Sequence, residues 1–142
     1  MSSGYRRYMG IDYGTVRIGI AVSDPLKIIA QGFTTVPNDG DAIKRILAIV
    51  DEQDVERIII GDPLTLRGEQ SSKGEEVAVF VERLRTATPV TIDRADERFT
   101  SVMAQRSLVA MGTRKKQRQQ NKGKIDEMAA AIMLQGYLDA KR

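Results

Sequence analysis

Residues 7–23, with the sequence RYMGIDYGTVRIGIAVS, decide the fold of this 142-residue chain. Residues 7–12 and residues 17–23 each carry the apolar alternation that is typical of β-strands. The four residues between them (YGTV) contain a glycine and are short enough to form a tight turn. We therefore expect the two strands to pair as an antiparallel hairpin, with Asp12 at the carboxyl end of the first strand.

The rest of the chain predicts strands and helices in alternation. A third strand is expected within residues 28–36, where Phe33 and Val36 supply the apolar side chains, and two more strands at residues 57–61 (RIIIG) and 89–93 (PVTID). Helical spacing of apolar residues predicts two core-facing helices, whose core residues are Ile43, Ile46, Leu47 and Val50 in the first, and Val77, Phe80, Val81 and Leu84 in the second. Two further helices are predicted at about residues 100–111 and 125–140.

This order of elements predicts an α/β fold. An initial antiparallel meander followed by alternating helices and strands is typical of a mixed five-stranded sheet with helices on both faces. A length of 142 residues suits one domain that spans residues 1–142.

The composition restricts the chemistry that the chain can perform. It contains no cysteine and no histidine, so acid–base or metal chemistry must use carboxylates, hydroxyls, lysines or water. No apolar run approaches the roughly 20 residues of a membrane span, and the first residues lack the pattern of a signal peptide. We expect a cytoplasmic protein with no membrane partner.

A basic segment at residues 114–124 carries six cations and no acidic residue: Arg114, Lys115, Lys116, Arg118, Lys122 and Lys124. Without these six, the chain has 16 basic and 19 acidic residues, so this segment alone makes the net charge positive. We predict a loop that binds the phosphates of a nucleic acid; a solvated surface loop fits the same residues equally well.

Three carboxylates are candidates for the chemistry: Asp12, Glu97 and Asp126. Asp12 ends the first strand, and Glu97 is expected four residues beyond the last one. Asp126 should point inward at the start of the final helix, because it is in register with the apolar residues Ala129, Ala130, Met133 and Tyr137. Each acid also has a structural explanation: Asp12 as a partner of turn amides, Asp126 as a helix cap, and Glu97 as the ion-pair partner of Arg94 or Arg98.

Convergence of the three carboxylates at one sheet edge would require a cation, because buried carboxylates repel one another. Mg²⁺ or Mn²⁺ is the expected cofactor, since hard cations prefer oxygen ligands. Two such ions about 3.5–4 Å apart can activate a water and stabilise the leaving oxygen in phosphodiester cleavage.

Three motifs resemble the YqgF family: residues 10–19 (GIDYGTVRIG), 96–101 (DERFTS) and 124–130 (KIDEMAA), the last followed by LQGYL at 134–138. Members of that family are described as Holliday-junction resolvases or pre-16S rRNA nucleases with an RNase H-like fold. The resemblance implies that Asp12, Glu97 and Asp126 are the catalytic acids and metal ligands. Arg17 and Arg98 correspond to the arginines of the first two motifs and are expected to bind nucleic acid.

One position departs from the family pattern. After the fourth strand the family has glycine, an aliphatic residue and proline, whereas this chain has Gly61, Asp62 and Pro63. Asp62 is expected beside the strand of Asp12, where it would be either a fourth metal ligand or a solvent-facing residue without a function.

Two other classes of protein fit parts of the sequence. Residues 12–15 (DYGT) match the phosphate loop of actin-like ATPases and sugar kinases, but those enzymes close two domains over the nucleotide. A non-catalytic nucleic-acid-binding module would use the same basic segment. Among substrates for a nuclease, structured RNA in pre-16S rRNA maturation is favoured over four-way DNA. The chain is expected to be a monomer or a homodimer, and a dimer would favour cutting of DNA junctions.

Overall fold

A computed structural model describes residues 6–62, 72–96 and 122–141 of the chain. It contains five strands and three helices in the order β1 (Arg7–Asp12), β2 (Arg17–Ser23), β3 (Ala30–Pro37), α1 (Ala42–Glu52), β4 (Val55–Asp62), α2 (Ser72–Ala87), β5 (Thr91–Asp96) and α3 (Lys122–Ala140). The strands form one sheet in the order β3-β2-β1-β4-β5. β2 is antiparallel to β1 and β3, whereas β4 is parallel to β1 and β5, so the predicted mixed five-stranded sheet is confirmed.

The first face of the sheet carries the larger core. Met9 and Ile11 of β1 and Ile18 and Ile20 of β2 are fully buried there, because alternate residues of a strand share a face. The predicted faces of α1 and α2 pack on them: Ile46, Val50, Val77, Phe80, Val81 and Leu84 are buried, and Ile43 and Leu47 are partly buried.

The second face is covered by α3, whose backbone approaches the sheet closely. Glycines make this approach possible. A Cβ atom on Gly10 would lie 2.9 Å from Leu134 Cβ, and one on Gly32 would lie 3.0 Å from Glu127 Cβ. The smaller core on this face includes Ala130 and Leu134, both fully buried.

Both apolar residues expected in the third strand lie in β3, but of the two only Val36 is in the core cluster on the first face. Val36 is buried, but 36% of Phe33 is exposed. The pairing with β2 explains the difference: Ile20 pairs with Thr34 and Ala21 with Gly32, so Phe33 is an additional residue in a β-bulge. A bulged residue leaves the regular alternation of faces, which the sequence pattern assumes.

β5 lies later in the chain than its predicted position at residues 89–93. It pairs with β4 from Thr91 to Asp96. Pro89 has no backbone N–H for a ladder, which disfavours an earlier start. The strand includes the charged residue Asp93 because Arg57 of β4 and Tyr137 of α3 both donate hydrogen bonds to its carboxylate.

α3 begins at Lys122, three residues before the predicted start. Lys122 and Lys124 are therefore helical residues, not part of a loop, and Asp126 lies beyond the first turn. The predicted helix at about residues 100–111 lies outside the described residues. No helix in residues 6–62, 72–96 and 122–141 is long and apolar enough to cross a membrane.

Candidate active site

The candidate site is the edge of the sheet where the parallel strands β1, β4 and β5 end. These three strands are parallel, so their C-terminal ends lie at the same end of the sheet. Their last residues are Asp12, Asp62 and Asp96. The antiparallel strand β2 begins at this edge with Arg17. The sequence pattern predicted Glu97 four residues beyond the last strand. Because β5 extends to Asp96, Glu97 instead follows the strand directly. Glu97 itself lies outside the described residues.

Asp12 lies on the face of the sheet that α3 covers. Its Cα pairs with that of Gly19 on β2, and directly paired residues of antiparallel strands point to the same face. A Cβ atom on Gly19 would lie 2.1 Å from the backbone oxygen of Asp126 and 2.4 Å from its carbonyl carbon. The backbone of α3 at Asp126 therefore rests on the residue next to Asp12, which brings two of the predicted acids to one edge and one face.

The carboxylate of Asp126 is held by Arg17. The Nε–H group of Arg17 donates a hydrogen bond of 2.8 Å to Oδ2 of Asp126, and the two side chains are 37% and 24% exposed. The inward orientation predicted for Asp126 is consistent with this contact. The predicted placement at the helix start is wrong, so this ion pair, not the amides of a first turn, offsets the negative charge.

Two positioning residues were missed in the sequence. Asn38 holds the β1–β2 turn: its Nδ2 donates to the carbonyl of Gly14 at 2.8 Å, and its backbone N–H donates to that of Val16 at 2.9 Å. Thr35 holds the start of α3, since its hydroxyl donates to the carbonyl of Gly123 at 2.7 Å. Both contacts join distant parts of the chain, so no local pattern announces them.

The turn next to Asp12 requires a glycine. A Cβ atom on Gly14 would lie 2.2 Å from the backbone oxygen of Arg17, a separation that real Cβ atoms do not show. Any larger residue would push the start of β2, and with it Arg17, away from its place. This is the physical reason for the glycine two residues after Asp12.

The cations predicted to bind nucleic acid are only partly described. Lys124 is exposed on α3, two residues before Asp126. For Lys122 the structure describes the helical backbone alone. The other predicted cations lie outside the described residues: Arg98, Arg114, Lys115, Lys116 and Arg118.

The donor set of the site consists of carboxylates. Within the described part of the chain, no three histidine, cysteine or acidic side chains come close enough to hold a metal ion. Glu97, the predicted third ligand, lies outside that part. The side chain of Asp62 is not described either, so its role as a fourth ligand stays a prediction. Oxygen donors without histidine or cysteine fit Mg²⁺ or Mn²⁺ better than softer metals.

A polar cluster at the opposite end of the sheet anchors the second half of α3. Arg57 and the hydroxyl of Tyr137 both donate hydrogen bonds of 2.5 Å to Oδ2 of Asp93. The bond from Tyr137, with the one from Arg57, lowers the pKa of Asp93, and burial raises the pKa of Tyr137. Because this cluster and the Arg17–Asp126 pair hold opposite ends of one helix, they fix its position along the sheet.

Comparisons with known proteins agree with this architecture. A family model described as "RuvX: Holliday junction resolvase" matches residues 6–140. A protein of Phocaeicola vulgatus named "Putative pre-16S rRNA nuclease" is 43% identical over 137 residues, which cover 96% of this chain and 97% of the relative. A Bacteroides fragilis protein of the same name is 45% identical over 137 residues, with coverages of 96% and 98%.

A solved structure supports the fold assignment. The structure titled "T. thermophilus RuvC in complex with Holliday junction substrate" matches with a TM-score of 0.50 and 17% identity, covering 96% of this chain and 95% of that chain. At this identity the likeness concerns the fold alone. Together with the sheet order β3-β2-β1-β4-β5, it identifies an RNase H-like fold.

Proposed function

The chain belongs to the RuvX family, which the YqgF motifs indicated, and from this premise we propose that it is a nuclease that hydrolyses phosphodiester bonds of structured nucleic acid. One observation carries the proposal: Asp12 and Asp126, 114 positions apart in the sequence, lie on one face at one sheet edge because the α3 backbone rests on Gly19. A third acid, Glu97, directly follows the strand that ends at the same edge.

Asp12, Glu97 and Asp126 are the residues that would hold Mg²⁺ or Mn²⁺. When bound, such an ion lowers the pKa of a water and stabilises negative charge on the leaving oxygen. The protein supplies the fixed carboxylates. The hairpin fixes Asp12 through its pairing with Gly19, and α3 fixes Asp126 through its contact with that same glycine. In our proposal these three acids are the catalytic residues.

Cations beside the acids would bind the phosphates of the substrate. Arg17 lies at the site edge and Lys124 is exposed on the turn of α3 that precedes Asp126. Arg98 and the basic segment at residues 114–124 would extend this surface along the nucleic-acid backbone. Such contacts position a substrate without reading its sequence, which suits recognition of a folded nucleic acid by shape.

We propose pre-16S rRNA as the substrate, because relatives that are 43% and 45% identical over nearly the whole chain are named for that activity. A four-way DNA junction is the second candidate, because the matching family model is described as a Holliday junction resolvase. Paired incision of a junction suits a homodimer, whereas a single cut in RNA suits a monomer. The oligomeric state in solution therefore separates the two candidates further.

The test is cleavage of both substrates in Mg²⁺ by the wild type, Asp12→Asn and a control, Asp54→Asn. Asp54 is a largely exposed acid paired with Arg6 at the other end of β1. We expect the wild type and the control to cut the RNA, and Asp12→Asn to bind it without cutting. Cleavage of the junction alone would favour the second candidate. Binding without cleavage by the wild type would indicate a non-catalytic nucleic-acid-binding module.

A further inference from the structure

The ion pair between Arg17 and Asp126 joins β2 to α3 at the candidate active site. Its donor is Nε–H and its acceptor is Oδ2, 2.8 Å apart, and the residues are 109 positions apart in the sequence. Both side chains are partly buried. A carboxylate that is proposed to bind a metal ion therefore already has a protein cation on one of its two oxygens.

The position of the pair follows from the packing below it. The backbone of Asp126 is in contact with Gly19, and Asp12 is paired with that glycine. Two acidic residues are thus placed on one face at one end of the sheet, and like charges repel when they come close. Arg17 is two residues before Gly19 on β2, on the same face, and its positive charge faces the carboxylate of Asp126.

We propose that Arg17 is the resident counter-ion of Asp126, and that a divalent cation competes with its guanidinium for that carboxylate. This inference rests on the proposed function and deepens it. Metal binding releases the guanidinium from Asp126, and the freed N–H donors then bind a phosphate of the nucleic acid. Metal ion and substrate therefore bind in that order. Arg17 is a positioning residue in the metal-free protein and a substrate-binding residue afterwards.

Whether Arg17→Gln raises or lowers the affinity for metal distinguishes competition by Arg17 from a role in which Arg17 only orients Asp126. If Arg17 competes with the metal, Arg17→Gln binds Mn²⁺ more tightly than the wild type, by about two- to fivefold, the range of a partly exposed ion pair. If Arg17 only orients Asp126 for the metal, the same substitution weakens Mn²⁺ binding. The competition also predicts that Arg17→Gln melts at a lower temperature than the wild type in EDTA, and that Mn²⁺ raises its melting temperature by more.

The experiment is calorimetric titration of each protein with Mn²⁺, together with melting curves in EDTA and Mn²⁺. Arg6→Gln is the matched control, since Arg6 also donates from Nε to an aspartate, Asp54, at 2.9 Å, but at the other end of β1. This control should bind Mn²⁺ as the wild type does. Arg17→Lys keeps the charge but loses the fixed Nε–H donor. Its Mn²⁺ affinity should therefore lie between those of the wild type and Arg17→Gln.

Each outcome decides the inference. Tighter Mn²⁺ binding by Arg17→Gln supports it, and equal or weaker binding overturns it while leaving the proposed function intact. If Arg17→Gln does not fold, Arg17→Lys decides in the same way: affinity above that of the wild type supports competition, and equal or lower affinity contradicts it. If the wild type and Asp126→Asn bind Mn²⁺ equally, or if neither binds it, the metal-dependent function and this inference are both wrong.

Discussion

Replacing Gly19 by alanine tests how closely the catalytic geometry depends on the contact between β2 and α3. The added Cβ would lie 2.1 Å from the backbone oxygen of Asp126, whereas ordinary contact begins at 3.4 Å. Relief of the clash requires a displacement of about 1.3 Å, the difference between these two distances. The obstacle is backbone, not the end of a flexible side chain, so the helix itself or the strand must move.

The displacement should affect both stability and activity. Overpacking of this kind costs about 1–3 kcal/mol, which leaves a domain of ordinary stability folded at room temperature. A shift of about 1 Å between reacting groups costs about 100-fold in rate. We therefore expect Gly19→Ala to remain folded, to lose about 1–3 kcal/mol of unfolding free energy, and to cut its substrate about 100-fold more slowly.

The assay is urea unfolding followed by circular dichroism, in parallel with cleavage kinetics. Gly136→Ala is the control, because Gly136 is an exposed helical glycine with nothing within 4 Å of an added Cβ. It should gain up to about 1 kcal/mol from helix propensity and keep full activity. If Gly19→Ala cleaves its substrate at the wild-type rate and its unfolding free energy is unchanged within about 0.5 kcal/mol, the site does not depend on this contact as proposed.

Three further predictions concern the polar cluster around Asp93, the basic segment and Glu97. The pKa of Asp93 is lower in the folded protein than in the unfolded chain. Its contribution to stability is therefore fully present above the unfolded-state pKa of about 3.9 and is lost as the pH falls through the lower folded-state pKa. Tyr137→Phe removes the largest cause of that shift, so the loss of unfolding free energy between pH 7 and pH 3 should be smaller than in the wild type; equal losses in urea titrations would contradict this. Replacing Lys115, Lys116, Arg118 and Lys122 together by alanine should weaken RNA and DNA binding alike and flatten its salt dependence without changing Mn²⁺ affinity. An unchanged salt slope in this four-alanine variant would mean that the segment is only a solvated loop. Glu97→Gln should instead keep substrate binding in metal-free buffer and lose turnover.

Local patterns predicted the elements whose structure depends on neighbouring residues. The bounds of β1 and β2 agree with the predicted ones, because apolar alternation and a glycine turn are sufficient to specify a hairpin. The core faces of α1 and α2 were predicted by helical spacing alone. The position of Asp12 at the end of β1 follows from the same hairpin.

Features that depend on distant residues were not predictable in this way. Phe33 is partly exposed because of how β3 pairs with β2, and β5 continues beyond its predicted end at Asp93 because it pairs with β4 as far as Asp96. The partner of Asp126 is Arg17, which no local pattern indicates. Sequence motifs selected the candidate acids, and only the tertiary structure shows how Asp12 and Asp126 come to lie at one end of the sheet.

The long separation between Arg17 and Asp126 also determines when the site can form during protein synthesis. β1 and β2 leave the ribosome early and can pair at once, since their contacts are local. The helix that packs on Gly10, Gly19 and Gly32, α3, begins 99 residues after β2 ends. At about 5–20 residues per second, synthesis of this stretch takes about 5–20 seconds. Throughout that interval the nascent chain has Asp12 but not Asp126, so the proposed active site is incomplete while the chain is on the ribosome.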